Sequence, residues 1–348
     1  LVGIHILNFV GDISRDNDVI DNLFQSGGEY RYNNLQDFLT DFADPAQKRY
    51  NFFSQAFGSS VAEFSTTDFS LFVQDDIRIT PRFTLNVGLR WEYQKLPEPQ
   101  RANPLEPRTA SFPSDKNNFG PRIGAAYDIT GKGKTSIRGG YGIYYGRVIN
   151  SVIFDALTKT SGATGAQSLF FRSNFGGSPI YPNVVPAPAP GTAGGNIVVF
   201  SPENENPLIH QADVVFEHTI AQNTVVSVSG LFSWGRNLTT VVDDNLPALS
   251  GTRTYNVNGG PFGGQNVTVN NYFGARPDAN FGRISEIRST IDSNYAALVL
   301  QLNRRLTDGL QFNASYTLSD AEDNGQTSNT FTPFAGNNPS DPFDLSLE

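Results

Sequence analysis

The chain has 348 residues and a formal net charge of −9; 12% of it is aromatic, only 17% is charged, and it holds 33 Gly and 27 Phe but no Cys or Met. The acidic balance argues against a nucleic-acid partner, since phosphate neutralisation needs surplus Lys and Arg, and the missing cysteines exclude a disulfide frame, a thiolate metal site and a Cys nucleophile. Phe, Tyr and Gly favour strands and turns over helices, and no apolar run approaches the ~20 residues of a membrane helix, so any membrane-spanning form must be a β-barrel, the other fold that satisfies every backbone group in lipid.

Residues 4–14 form a weak alternating segment, followed by a long connection over 15–61. Within it Asp16-Asn17-Asp18 and Asp21 gather oxygen ligands, but without the Gly and terminal Glu spacing of a calcium loop. They read as a solvated acidic loop, and no metal site is assigned. Residues 34–42 suggest a short helix. Residues 69–79 set Phe69, Leu71, Val73, Ile77 and Ile79 against Ser70, Gln74, Asp76 and Arg78, with Phe72 and Asp75 out of phase. After the turn Thr80-Pro81-Arg82, residues 83–94 alternate without a break: Phe83, Leu85, Val87, Leu89, Trp91 and Tyr93 against Thr84, Asn86, Gly88, Arg90, Glu92 and Gln94. Side chains alternate faces along a strand, so one face is wholly apolar. The run suits a tilted membrane strand of about 9–11 residues better than a soluble-sandwich strand of about 5–6.

A second long connection covers 95–118, before a weak strand at 121–129 and a short turn at 130–134. The Gly131-Lys132-Gly133-Lys134 of that turn lacks phosphate-loop spacing and a following helix, so turn chemistry explains it. Residues 135–146 set Ile137, Tyr141, Ile143 and Tyr145 against Ser136, Arg138, Gly140, Gly142 and Gly146. The long connection 147–207 contains a Gly-, Pro- and Ala-rich stretch at 176–195, read as extended chain. Weaker strands at 209–219 and 224–234 flank the turn 220–223, and 235–282 is again long. Residues 293–305 oppose Ala296, Leu298, Leu300 and Leu302 to Gln301, Asn303 and Arg305; after the turn 306–309, residues 310–319 oppose Leu310, Phe312, Ala314, Tyr316 and Leu318 to polar residues. A tail follows 320.

Short turns therefore alternate strictly with long connections. Soluble all-β domains use mostly short ones, whereas outer-membrane barrels have short periplasmic turns and long extracellular loops. The expectation is one all-β domain over 1–348: an antiparallel up-and-down transmembrane β-barrel, partial, of about nine to twelve strands, with 15–61, 95–118, 147–207 and 235–282 as extracellular loops. Trp91, Tyr93, Tyr141, Tyr145, Trp234 and Tyr316 lie on apolar faces toward the ends away from the turns, as interfacial aromatics should. Asp76, Arg78, Arg90, Glu92, Arg122, Arg138 and Arg305 lie on polar faces. A charge facing lipid costs about 2–4 kcal/mol at the midplane, so these should face the interior, as a cross-strand ion-pair ladder or in contact with a plug or solute. Adjacent Asp75 and Asp76 point to opposite faces and cannot converge on a substrate. His210 and His218 stand roughly 27 Å apart at strand rise and cannot share a metal. No catalytic residue and no cofactor are assigned.

Phe72-Val73-Gln74-Asp75-Asp76, Thr84 to Glu92, Asn118 to Asp128, Lys134 to Tyr145, Ser293-Asn294-Tyr295 with Leu298, Asn303-Arg304-Arg305 and Ala314 to Ser319 together resemble the barrel of TonB-dependent receptors. More narrowly, they look like the Oar-like branch, whose members carry a carboxypeptidase-regulatory-like domain ahead of the plug. The resemblance implies a barrel of about 22 strands in the outer membrane of a Gram-negative (diderm) bacterium, filled by an N-terminal plug. It implies TonB-energised uptake of an extracellular solute, with no covalent step. On this likeness the chain is expected to be an internal fragment, with the plug, the TonB-contacting segment and further strands outside it. Two other readings stay open: a barrel whose loops serve adhesion or protein export toward a macromolecule, and a soluble extracellular β-protein.

Overall fold

The computed structural model describes residues 4–59, 61–161, 165–174, 176–187, 195–260, 263–307 and 309–325. Its strands in chain order are β1 (His5–Asp21), β2 (Glu29–Arg31), β3 (Phe52–Phe57), β4 (Val61–Thr80), β5 (Phe83–Lys95), β6 (Asn118–Asp128), β7 (Thr135–Tyr145) and β8 (Gln167–Arg172). They continue with β9 (Gly195–Phe200), β10 (Leu208–Ala221), β11 (Thr224–Asp243), β12 (Gly251–Asn256), β13 (Asn266–Asn271), β14 (Phe281–Thr307) and β15 (Leu310–Asp323). Two short helices are α1 (Leu35–Ala43) and α2 (Asn150–Thr158).

The expected alternation produces a meander. Nine strands pair antiparallel in the order β1-β4-β5-β6-β7-β10-β11-β14-β15, and all nine spans read from the pattern are present. Among the described residues β1 and β15 do not pair, so the sheet is an open arc of barrel wall. Its register aligns the alternation across strands: Phe83, Tyr127, Ile137, Phe216, Val228, Leu300 and Tyr316 stand side by side. That row begins beside its turn at Phe83 and ends well up β15 at Tyr316, which is the stagger of tilted barrel strands. Over most of its height this face carries no protein cover among the described residues, and Leu89, Ile123, Phe216 and Leu300 are all exposed on it.

The turns follow local chemistry. Asp128 accepts hydrogen bonds from the Gly131 and Gly133 amides at 2.9 and 2.8 Å, which closes the 130–134 turn without any ligand. Close approach explains one glycine in each of β6 and β7: a Cβ on Gly120 would sit 2.5 Å from the Ile143 carbonyl oxygen, and one on Gly139 2.7 Å from that of Asp213.

Several strands run past the segments where alternation was visible. β1 continues through the acidic cluster, pairing Asp16 with Thr66 and Asp18 with Phe64, so those residues are ladder rather than loop. β11 reaches Asp243, and β14 starts at Phe281 and is 27 residues long. Above the barrel wall the polar face changes character. Ile20, Ala62, Phe64, Val241 and Ile287 continue its parity, yet they are apolar and pack against α2. A wall lined by water alternates; the same wall covered by protein does not. α2 buries Val152, Ile153, Ala156 and Leu157, and β9 adds in parallel to β14 beyond the end of β15. β2, β3 and β8 form a separate sheet capped by α1, whose N-cap Asn34 accepts from the Asp37 amide at 2.9 Å. Among the described residues nearly all buried apolar side chains lie in this canopy, with Val215 and Ala297 the buried ones of the barrel wall proper. Of the Gly-Pro-Ala stretch, 188–194 lies outside the described residues, as does the tail from 326.

Candidate functional site

On the polar face, one pair of the charges singled out in the sequence satisfies itself, and others find neighbouring side chains. Arg90 Nε and Glu92 Oε1 form an ion pair at 2.8 Å. The Arg138 guanidinium forks onto both oxygens of Glu217 at 2.8 and 3.3 Å, across the β7–β10 pair. Asp76 accepts from Gln74 Nε2 at 2.7 Å and from Asn86 Nδ2. Arg122 lies over the Tyr144 ring, 4.4 Å from its centroid, and its Nε is buried without a hydrogen-bond partner. It overlooks a shallow recess of about 200 Å³, floored by Gly88, Gly124, Gly140 and Gly142 and edged by Gln211 and Asp213. Arg78 and Arg305 sit apart near the turns, and their backbone amides donate to the carbonyls of Ile4 and Asn223 at 2.9 Å. Asp75, out of phase in the sequence, falls on the apolar face and pairs with His5 Nδ1 at 2.6 Å. His210 meets Tyr141 Oη at 2.6 Å and His218 meets Thr135 Oγ1 at 2.8 Å, on different neighbours.

The aromatic residues of the apolar face divide by position. Trp91 Nε1 donates to the Lys116 carbonyl at 2.7 Å, and Tyr93 stacks between Phe69 and Trp91, so the 95–118 connection folds over both. Trp234 stacks on Phe232, and Tyr145 ends its strand. Tyr141 and Tyr316 lie lower, in mid-strand.

The canopy holds the groups that strand periodicity could not reveal. Arg108 donates to Glu106 Oε2 at 2.8 Å, Asp244 Oδ2 at 2.8 Å and Glu286 Oε1 at 2.9 Å, and Arg288 reaches Asp244 and Glu286 from the other side. Burial pushes the Glu106 carboxyl up, but the hydrogen bonds and charge of Arg108 outweigh it and hold Glu106 below the usual carboxylate range. Asp155 and Lys159, one helical turn apart, pair at 2.7 Å; burial raises the Asp155 pKa and lowers that of Lys159, each partly opposed by its partner. Next to this pair, between α2 and the β2-β3-β8 sheet, is a cavity of about 910 Å³. Its walls include Phe52, Phe154 and Phe170 with Lys159, Arg276 and Arg283. That volume and mixed lining suit a small solute, since ligand sites of ~300–1,000 Å³ combine apolar walls with a few placed polar groups.

A match to the family described as outer membrane beta barrel domain extends over residues 1–348. The chain belongs to that family. In an outer-membrane β-barrel domain the bare apolar face meets lipid and the polar face lines the interior, so the canopy, built on the continuation of the polar face, lies over the inside. The fold is similar to that of the outer membrane transporter YddB from Escherichia coli (12% identity, 95% of this chain and 33% of that one, TM-score 0.54). Matches also include the FrpB iron transporter from Neisseria meningitidis (10% identity, 98% and 37% covered, TM-score 0.48) and the siderophore receptor PirA from Pseudomonas aeruginosa (13%, 77% and 38%, TM-score 0.40). The chain spans about a third of the length of YddB. No curated protein sequence matches it.

Sequence reasoning missed Arg108, Glu106, Asp155, Lys159, Arg276 and Arg283 because they sit in irregular chain or above the alternating zone. One signal was available: Lys159 stands four residues after Asp155 in an apolar stretch, the spacing of a helical ion pair.

Proposed function

We propose that this barrel segment belongs to an outer-membrane receptor that captures an extracellular solute beneath its folded long loops and takes it up across the membrane with TonB-derived energy. One observation carries the reading: much of the long connections folds over the interior face into a packed canopy that borders a partly open, solute-sized cavity. The membrane wall supplies the passage, the canopy the recognition, and the polar face with Arg122 and its glycine-floored recess a surface for a plug or a moving solute. The Oar-like resemblance supports the TonB requirement. The test is depletion of small solutes from defined medium by the native bacterium. Deleting the full-length gene and inactivating TonB should abolish uptake of the same solute. Unchanged depletion in both strains, with surface attachment lost on deletion, would instead support adhesion. The hairpin β12–β13 is the feature that favours that second reading, because every residue of β12 is exposed.

A further inference from the structure

On the lipid-facing side of β4, the outward positions from Ile79 up to Phe69 are apolar except for Asp75, which pairs with His5. Those residues rise by about 25 Å at strand rise and a tilt of about 40°, the height of a barrel's apolar band. Phe69, Tyr93 and Trp91 close the band at its loop end as a stack, with successive ring centroids 6.0 and 6.3 Å apart.

The next outward row holds cations. Register sets Arg15 beside Thr67 and Thr67 beside Lys95, so a guanidinium and an ammonium flank one hydroxyl on three neighbouring strands. A third cation arrives from the 95–118 connection. Trp91 Nε1 donates to the Lys116 carbonyl at 2.7 Å, and the Lys116 ammonium lies 5.6 Å from the centre of the Tyr93 ring, within cation–π range. All three are exposed, and Arg15 donates to Ser65 Oγ at 3.1 Å. No carboxylate forms an ion pair with any of them among the described residues. The acids nearest in sequence are engaged elsewhere or face the other way: Asp68 pairs with Arg147, and Asp115 accepts from the Asn206 amide at 2.8 Å. On the same face of β4, Glu63 stands four residues above Thr67, about 13 Å at strand rise.

A basic row set directly above an aromatic edge lies at the depth of the lipid headgroups, where its complement is phosphate. We propose that Arg15, Lys95 and Lys116 bind the phosphate groups of an anionic lipid in the leaflet on the loop side, its acyl chains lying down the Phe69–Tyr93–Trp91 face. Lys116 is the fixed point, because Trp91 anchors its backbone, and Arg15 offers a fork for two phosphate oxygens. An occupied site ties the 95–118 connection to the membrane surface. This goes beyond the uptake reading and does not depend on it.

The test is native mass spectrometry of the full-length receptor in detergent, titrated with diphosphoryl lipid A. A bound-lipid adduct should form. Lys116→Gln should weaken it about fivefold, and replacing all three cations by Gln about 100-fold, at the scale of one cation on an anionic surface. The double variant Lys95→Arg/Lys116→Arg should stay within about twofold of the parent. Unchanged heat-modifiable mobility on electrophoresis shows that a variant still forms its barrel. Dipalmitoylphosphatidylcholine, which has no net charge, should bind the parent at least about tenfold more weakly. Equal lipid A binding by the parent and folded Gln variants, or equal binding of the two lipids by the parent, overturns the proposal. Displacement of lipid A by low-millimolar inorganic phosphate also overturns it, because the site then takes the free anion. Lipid binding without solute uptake sustains this site and sinks the uptake reading; uptake without lipid binding does the reverse.

Discussion

Arg108→Met offers a direct probe of what holds the canopy together. The guanidinium reaches three carboxylates, of which Glu106 and Glu286 are only 9% and 6% exposed. Glu286 and Asp244 keep Arg288 when Arg108 is removed, but Glu106 loses the one side-chain cation it meets among the described residues. Breaking a buried pair from one side costs about 3–5 kcal/mol. Arg108 is 22% exposed and two of its partners remain paired, which reduces the cost to about 2–3 kcal/mol. As a local opening equilibrium this is roughly a 30- to 150-fold rise in amide exchange over 103–110 and around Asp244. Hydrogen exchange read by mass spectrometry on the full-length protein in nanodiscs measures it directly. The double variant Arg108→Met/Glu106→Gln should recover most of the loss, because no buried charge is then stranded. Exchange in Arg108→Met within threefold of the parent, or no recovery in the double variant, would refute the argument that the network carries local stability.

The same assay should show opening of 103–110 as pH falls. Glu106 has a folded pKa below its ordinary 4.5, so its stabilisation is present above that value and lost as pH drops through the folded one; Arg108→Met should erase this dependence. Ile153→Ala, at a position with 0% exposure in α2, should cost about 2–5 kcal/mol of canopy stability, seen as protease sensitivity of 147–207 while the barrel keeps its resistance to detergent at room temperature. Leu89→Arg on the lipid face should lower the stability of the barrel by about 2–4 kcal/mol in urea-driven folding into phosphatidylcholine vesicles, whereas Thr84→Arg on the opposite face should stay within about 1 kcal/mol. Gly120→Ala should loosen the β6–β7 pair, because its Cβ meets a backbone oxygen that cannot rotate away; faster exchange confined to 118–128 and 135–145 checks it.

Where a wall separates lipid from water, each residue answers to one of two solvents and the period of two is plain, as in 83–94. That is why the nine strands and their turns could be read directly. Even an exception was informative: Asp75 broke the pattern and proves to be paired on the apolar face. Legibility ended at the canopy for a physical reason. There the strands are covered by protein on the face that water lines below, so Phe64, Val241 and Ile287 erase the alternation while the hydrogen-bonded ladder continues. α2 is too short and too evenly apolar to be told from a buried strand by periodicity. The cavity residues come together from 31, 159, 276 and 283, a convergence that only the folded connections create.

The junction between wall and canopy also limits how this chain can vary. Between Gly235 and Thr239 the β11–β14 ladder slips once on each strand: three steps on β11 match two on β14, then one step on β11 matches two on β14. The two slips cancel, so both strands bend yet leave in the phase in which they arrived. Asp243 therefore reaches Arg276, and Asp244 on the opposite side reaches Arg108 and Arg288. Because neighbouring strand residues face opposite ways, losing one residue here would exchange the two aspartates and strand all three arginines, while losing one from each strand would disturb little. Chain length at this junction is in effect quantised, and descendants of this sequence should differ there by matched steps or not at all.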